Sequence, residues 1–116
     1  MFKRGQEIFP ANPRVAERVD SIVKTITEHY DTEKILLFGG FARGEFDEEY
    51  SEMDIMVVAN TDKRFLERIR EVRELCAGYP HIDPIMYTPN EYRALLKEGE
   101  GFLEEATEEG IVIYQK

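Results

Sequence analysis

The sequence predicts an α/β (α+β) fold in which one small mixed β-sheet is flanked by helices. Two observations carry this expectation. Short continuous apolar runs at Lys34–Phe38 (KILLF) and Met53–Ala59 (MDIMVVA) have the length and composition of strands buried on both faces. Around them lie segments whose apolar residues recur at helical spacing, so helices and strands alternate along the chain. The 116 residues suit a single domain spanning 1–116, and a hydrophobic fraction of 42% excludes general disorder.

The elements follow in order. Residues 1–12 (MFKRGQEIFPAN) show no helical period and are expected to form an extended arm or a short edge strand. Asn12-Pro13 is a helix start, an N-cap side chain followed by proline in the first turn. Val15, Val19, Ile22, Ile26 and Tyr30 then share one face, and the helix should end near His29 to Asp31. After the KILLF strand, Gly39-Gly40 opens a short helix with FARG. The second strand runs into Thr61 or Asp62, either of which could cap a helix with Phe65, Ile69, Val72, Cys76 and Tyr79 on its inner face and Gly78 and Pro80 at its end. His81–Thr88 (HIDPIMYT) reads as a third strand, and Pro84, which lacks a ladder donor, places it at an edge or a bulge. Pro89-Asn90 begins another helix with Tyr92, Leu95 and Leu96 inward. A last helix from about Glu100 carries Phe102, Leu103 and Ala106, and Ile111–Tyr114 closes the chain as a strand.

Charge narrows the function. The formal charge is −9, from 24 acids and 15 bases, so non-specific nucleic-acid binding, which rests on basic charge, is not expected. The surplus sits in two segments. Glu45–Asp54 and Glu98–Glu109 hold six acids each and no base, and outside them 12 acids face 15 bases. No apolar run approaches the roughly 20 residues of a membrane span, and no apolar segment of a signal peptide follows Lys3 and Arg4. One cysteine makes neither an internal disulfide nor a zinc cluster, which favours a cytoplasmic setting.

The chemistry concentrates between Ile35 and Val58 (ILLFGGFARGEFDEEYSEMDIMVV). Gly39 and Gly40 lack a Cβ and would let a phosphate approach the main chain at a helix start, with Arg43 one turn on as a forked cationic donor. Glu52 and Asp54 flank Met53 at the mouth of an apolar strand, where residues two apart share a face. Two like charges that close need a cation between them, and a pair of carboxylates suits magnesium. Asp83, the only acid between Glu74 and Glu91, is the candidate third carboxylate. Three carboxylates facing a phosphate-cradling turn is the layout that two-metal phosphoryl-type transfer needs.

Other features have plainer readings. Asp47, Glu48 and Glu49 read as a mobile exposed loop, Cys76 as a core thiol, and His81 as a neighbour of Asp83 bordering the site. Tyr30, Tyr79, Tyr87 and Tyr92 read as core or rim aromatics. Lys63–Arg73 interleaves five bases with Glu67 and Glu71 and reads as an exposed, salt-bridged helix, with pairs such as Arg70–Glu74. The Glu98–Glu109 run reads as a solvated helix face or a docking surface for a basic partner.

The Lys34–Tyr87 stretch resembles the signature of the nucleotidyltransferases of the DNA polymerase β superfamily, in particular the minimal nucleotidyltransferases paired with HEPN-domain toxins. In that family a strand ends in Gly-Ser or Gly-Gly, Arg-Gly follows, an acid-x-acid pair opens the next strand, and a third acid lies on a later strand. The matching residues are Gly39, Gly40, Arg43, Gly44, Glu52, Asp54 and Asp83. The resemblance implies the palm-like fold of that superfamily, with Gly39, Gly40 and Arg43 holding a nucleotide. Glu52, Asp54 and Asp83 would bind Mg2+ (two ions when loaded) and carry catalysis. It also implies transfer of a nucleoside monophosphate, AMP from ATP, to an acceptor hydroxyl with release of pyrophosphate. A tyrosine of a HEPN-domain partner is the acceptor in several such pairs, which would make the chain an antitoxin. Homo- or hetero-oligomers stay open. Two departures, Gly40 where many members have serine and Glu52 where aspartate is commonest, motivate an alternative: a degenerate member that masks a partner by contact. A small-molecule acceptor such as an aminoglycoside is a further alternative, disfavoured by the short chain.

Overall fold

The computed structural model describes residues 2–79, 81–99 and 101–116. Its centre is a four-stranded sheet made of β1 (Asp31–Phe38), β2 (Met53–Asn60), β3 (Ile82–Tyr87) and β4 (Ile111–Gln115), in the order β3-β2-β1-β4. β1 pairs antiparallel with both β2 and β4, whereas β2 and β3 run parallel, so the sheet is mixed as expected. The parallel pair is joined through a helix, α4 (Phe65–Leu75), because strands running the same way need a crossover. Pro84 lies on β3, the edge strand, where its missing N–H costs no interior ladder bond.

Both apolar runs are buried on two faces. Ile35 and Leu37 of β1 join Ile55 and Val57 of β2 in a core with Val15, Val19, Ile22 and Ile26 of α2 (Pro13–His29) and Val72 and Cys76 at α4. Leu36, Met56 and Val58 face a second core with Tyr92 of α5 (Pro89–Glu98) and Leu103 and Ala106 of α6 (Gly101–Glu109). The sheet is therefore sandwiched between two helical layers, and each fully buried Ile or Leu contributes roughly 1.5–3 kcal/mol. Asn12 caps α2 by accepting the Val15 N–H at 3.2 Å. Thr88 and Glu91 form a capping box at the start of α5.

Several expectations are corrected. The extended arm over 1–12 is instead partly helical: Gly5–Ile8 forms one turn, α1, and the arm meets β4 through the Lys3 N–H, which donates to Val112 O at 2.9 Å, and through the Phe2 ring against Tyr114. Tertiary contacts decide this. Gly5 donates to Asp20 Oδ1 at 2.8 Å and packs so closely on Ala16 that a Cβ would overlap its carbonyl, while the Phe9 ring meets Phe41 and Phe46 edge-on. Arg64, with no side-chain cap, precedes α4; neither Thr61 nor Asp62 holds that place. Phe65 stands at the rim against Tyr87 rather than inside.

The Lys63–Arg73 segment is not uniformly exposed either. Arg68 is buried, binding both oxygens of Glu91 (2.7 and 3.4 Å) and the carbonyls of Lys63 and Met86. Lys63 and Tyr30 both donate to Glu71. The expected contributions of Pro80 to the end of α4 and of Glu100 to the start of α6, like Met1 of the arm, lie outside the described residues.

Candidate active site

Backbone register assembles the acids. Asp54 is the second residue of β2, and it lies opposite Asp83 on parallel β3 and opposite Phe38, the last residue of β1. Glu52 precedes Met53, whose side chain is buried and whose N–H is held by His81 O at 2.7 Å. Period-2 alternation then puts Glu52 and Asp54 on the same side. One oxygen from each of Glu52, Asp54 and Asp83 lies within 4.8 Å of the others. The expected spacing puts Glu52 and Asp54 together, and the β2–β3 register brings Asp83 to them at the end of the sheet.

The cluster carries more negative charge than it can hold comfortably. The Asp54 carboxyl is pushed up to about 6, first by burial, then by the charge of Asp83 and the hydrogen bond shared with it, then by Glu52; Arg43 acts in the opposite sense. Arg73, near the end of α4, donates to Asp83 Oδ1 at 3.1 Å and is the direct counter-charge in the cluster. An all-oxygen donor set whose middle member resists ionisation fits a hard divalent cation of the magnesium class, which would relieve the repulsion directly.

The Gly-Gly turn sits against this cluster. Gly39 opens α3 (Gly39–Arg43) with φ +70°, a conformation that other residues adopt only at a cost. A Cβ there would overlap Asp54 Oδ2, so the missing side chain lets the turn and the carboxylate come together. A Cβ at Gly40 would stand 2.6 Å from Glu45 O, which accepts no side chain either. Arg43 is engaged elsewhere: it donates to Glu45 at 3.2 Å and to Glu109 at 3.4 Å.

Beyond the triad, the Asp47–Glu49 loop is exposed at Asp47 and Glu49, as expected, and carries a set of local hydrogen bonds. Asp47 Oδ1 accepts the N–H groups of Glu49 and Tyr50, Ser51 Oγ accepts that of Asp47, and Glu48 accepts from Asn12 Nδ2 at 3.0 Å. Arg14 and Arg18 flank Glu48, and these residues with His81 line a cavity of about 390 Å³. His81, expected to share a strand face with Asp83, instead stands exposed in a turn at φ 65° just before β3 and lines the cavity beside the Asp47–Glu49 loop. Sequence reading missed Arg73 and Glu109. The Arg73–Asp83 pair spans the turn after α4, and Glu109 lies 66 residues from Arg43, so neither pairing leaves a local signal.

Comparison with known proteins places this geometry. No curated protein matches the chain by sequence. A solved structure of a candidate nucleotidyltransferase from Sulfolobus solfataricus superposes with a TM-score of 0.54 at 18% identity, covering 100% of this chain and 91% of that one. At that identity the likeness concerns the fold, and it bears out the expected mixed sheet flanked by helices. Residues 19–111, which run from α2 to the first residue of β4, match the family model of the nucleotidyltransferase domain. The chain therefore belongs to the nucleotidyltransferase domain family.

Proposed function

We propose that the chain transfers a nucleoside monophosphate, AMP from ATP, to the hydroxyl of a protein acceptor, with a tyrosine of a HEPN-domain partner as that acceptor, and so acts as an antitoxin. The observation that carries the transfer is the convergence of Glu52, Asp54 and Asp83 against the Gly39 turn in a chain of this family. Magnesium bound by the three carboxylates would supply charge neutralisation at the α-phosphate and at the departing pyrophosphate.

The remaining roles belong to the chain. Gly39 and Gly40, whose missing side chains let the turn pack against Asp54 and the Glu45 carbonyl, would hold the triphosphate through their main chain, and Arg43 would exchange its carboxylate partners for phosphate oxygens. Asp83 accepts the proton of the attacking hydroxyl, with Arg73 orienting its carboxylate. The acceptor oxygen forms its bond to the α-phosphorus as the bond to the β-phosphate oxygen breaks, and pyrophosphate leaves. The identity of the partner rests on the resemblance to minimal nucleotidyltransferases.

The test is incubation of the chain with α-labelled ATP, Mg2+ and a HEPN-domain protein from the same genome. Label should reach a tyrosine of that protein and vanish with Asp54→Ala. Equal labelling by the variant would overturn the catalytic assignment. A second reading, masking of a partner by contact alone, is favoured by Gly40, which offers no hydroxyl to the triphosphate. It predicts partner binding with no magnesium-dependent ATP heat in calorimetry.

A further inference from the structure

Both neighbours of β2 turn through a left-handed residue beside Asp54. β1 leaves the sheet through Gly39 at φ +70°, directly after Phe38, which lies opposite Asp54. β3 enters it through His81 at φ 65°, two residues before Asp83, which lies opposite Asp54 on the other side. Glycine suits such a backbone, whereas an L residue with a Cβ adopts it only at a cost. Nothing about the His81 side chain calls for it. The residue is exposed, and its ring makes no hydrogen bond or ion pair among the described residues. Its carbonyl, by contrast, is engaged: His81 O accepts the Met53 N–H at 2.7 Å, the bond that opens the parallel β2–β3 ladder. Met53 stands between Glu52 and Asp54, and its buried side chain turns both carboxylates to the same side.

We propose that His81 is a positioning residue for the cation site, acting through its left-handed backbone and not through its imidazole; the inference rests on the reading of Glu52, Asp54 and Asp83 as ligands of a divalent cation. If residue 81 relaxes to an extended conformation, its carbonyl swings away from the Met53 N–H. Asp83 then loses its register with Asp54, and the three carboxylates part. Their mutual repulsion favours that separation when no cation is bound. A divalent cation favours the aligned arrangement, in which residue 81 is left-handed. Cation binding and the turn are therefore coupled, and the apparent affinity scales with the fraction of chains already aligned. Affinity for magnesium follows the tolerance of residue 81 for positive φ, whatever its side-chain chemistry.

The test is calorimetric titration of the intact chain with MgCl2, without nucleotide, at a temperature where parent and variants are all folded. His81→Gly, His81→Asn and His81→Ala each remove the imidazole, but Gly and Asn accept positive φ whereas Ala resists it. His81→Gly should bind magnesium at least as tightly as the parent, and His81→Asn should stay within about threefold of it. His81→Ala should bind about fivefold or more weakly than His81→Gly, the left-handed penalty of an ordinary L residue expressed as a ratio. Melting in EDTA reads the stability of each chain separately, and a turn that served folding alone would move only that reading. Equal magnesium affinity in the Gly and Ala variants would overturn the positioning role and leave the transfer reading standing. A loss in His81→Gly as large as in His81→Ala would place the effect in the imidazole and overturn it likewise. A parent that binds no magnesium would overturn this inference together with the cation site on which it rests.

Discussion

Replacing Asp54 with Asn should stabilise the metal-free protein at alkaline pH and reverse that advantage when magnesium is added. The folded state raises the Asp54 carboxyl from 3.8 to about 6, so ionising it costs free energy that the unfolded chain does not incur. The full shift corresponds to about 3 kcal/mol. Asp54 is only partly buried, and solvent screening reduces this to about 1–2 kcal/mol. The penalty is absent below the unfolded value, grows between about pH 4 and 6 and is complete above the folded value. Asn carries no such charge, and its amide can donate to Asp83. At pH 8 in EDTA the variant should melt roughly 4–8 °C higher than the parent, and the gap should close near pH 4. Magnesium at a hundredfold excess over its dissociation constant should add about 2.7 kcal/mol to the parent and little to the variant. Differential scanning fluorimetry across pH, with EDTA or MgCl2, reads both effects. A variant that melts below the parent at pH 8 in EDTA, together with a parent indifferent to magnesium, would refute the reading of this cluster as a strained cation site.

Three further outcomes follow from the same geometry. Gly39→Ala should cost about 1–2 kcal/mol from its left-handed backbone alone, and should also abolish the magnesium-dependent rise in melting temperature because its Cβ displaces Asp54; melting with and without MgCl2 checks it. Arg43→Ala should leave the melting temperature almost unchanged, since its two ion pairs are exposed, yet weaken ATP binding about tenfold in calorimetry. Arg68→Ala should cost about 2–4 kcal/mol in urea unfolding, because it strands a Met86 carbonyl and a half-buried Glu91 carboxylate.

Local signals made much of the fold legible. The Asn12-Pro13 start and its apolar stripe define α2 to the residue at its N-terminus, and the KILLF and MDIMVVA runs are strands buried on both faces. The acid-x-acid pair and Asp83 could be picked out as candidates because each interrupts an apolar run, where a charge without a purpose is costly. Their meeting could not be read the same way, since it depends on Asp54 pairing with Asp83 across a crossover. What was misread depends on tertiary contact. α1 exists because Gly5 fits against Ala16 and Phe9 finds Phe41 and Phe46, none of which shows as local periodicity. Arg68 looks like one base among five on a polar helix, and only the approach of α5 makes it a buried anchor.

The two acidic segments, separate in sequence, turn out to share a destination. Glu45 from the first and Glu109 from the second both bind Arg43, and the first segment also ends in the triad itself. Glu45, Glu52, Asp54 and Glu109 of the acid surplus are therefore gathered near the Gly39 turn, with Arg43 and Arg73 as paired cations there. A triphosphate arriving alone would meet carboxylates on the triad and on α6, and Arg43 would be offered to it only in competition with Glu45 and Glu109. A triphosphate arriving with divalent cations meets a different site, in which the charge of Glu52, Asp54 and Asp83 becomes the attractive element. In a site built this way nucleotide affinity should be coupled strongly and positively to magnesium, and that coupling should collapse when any one of the three carboxylates is neutralised.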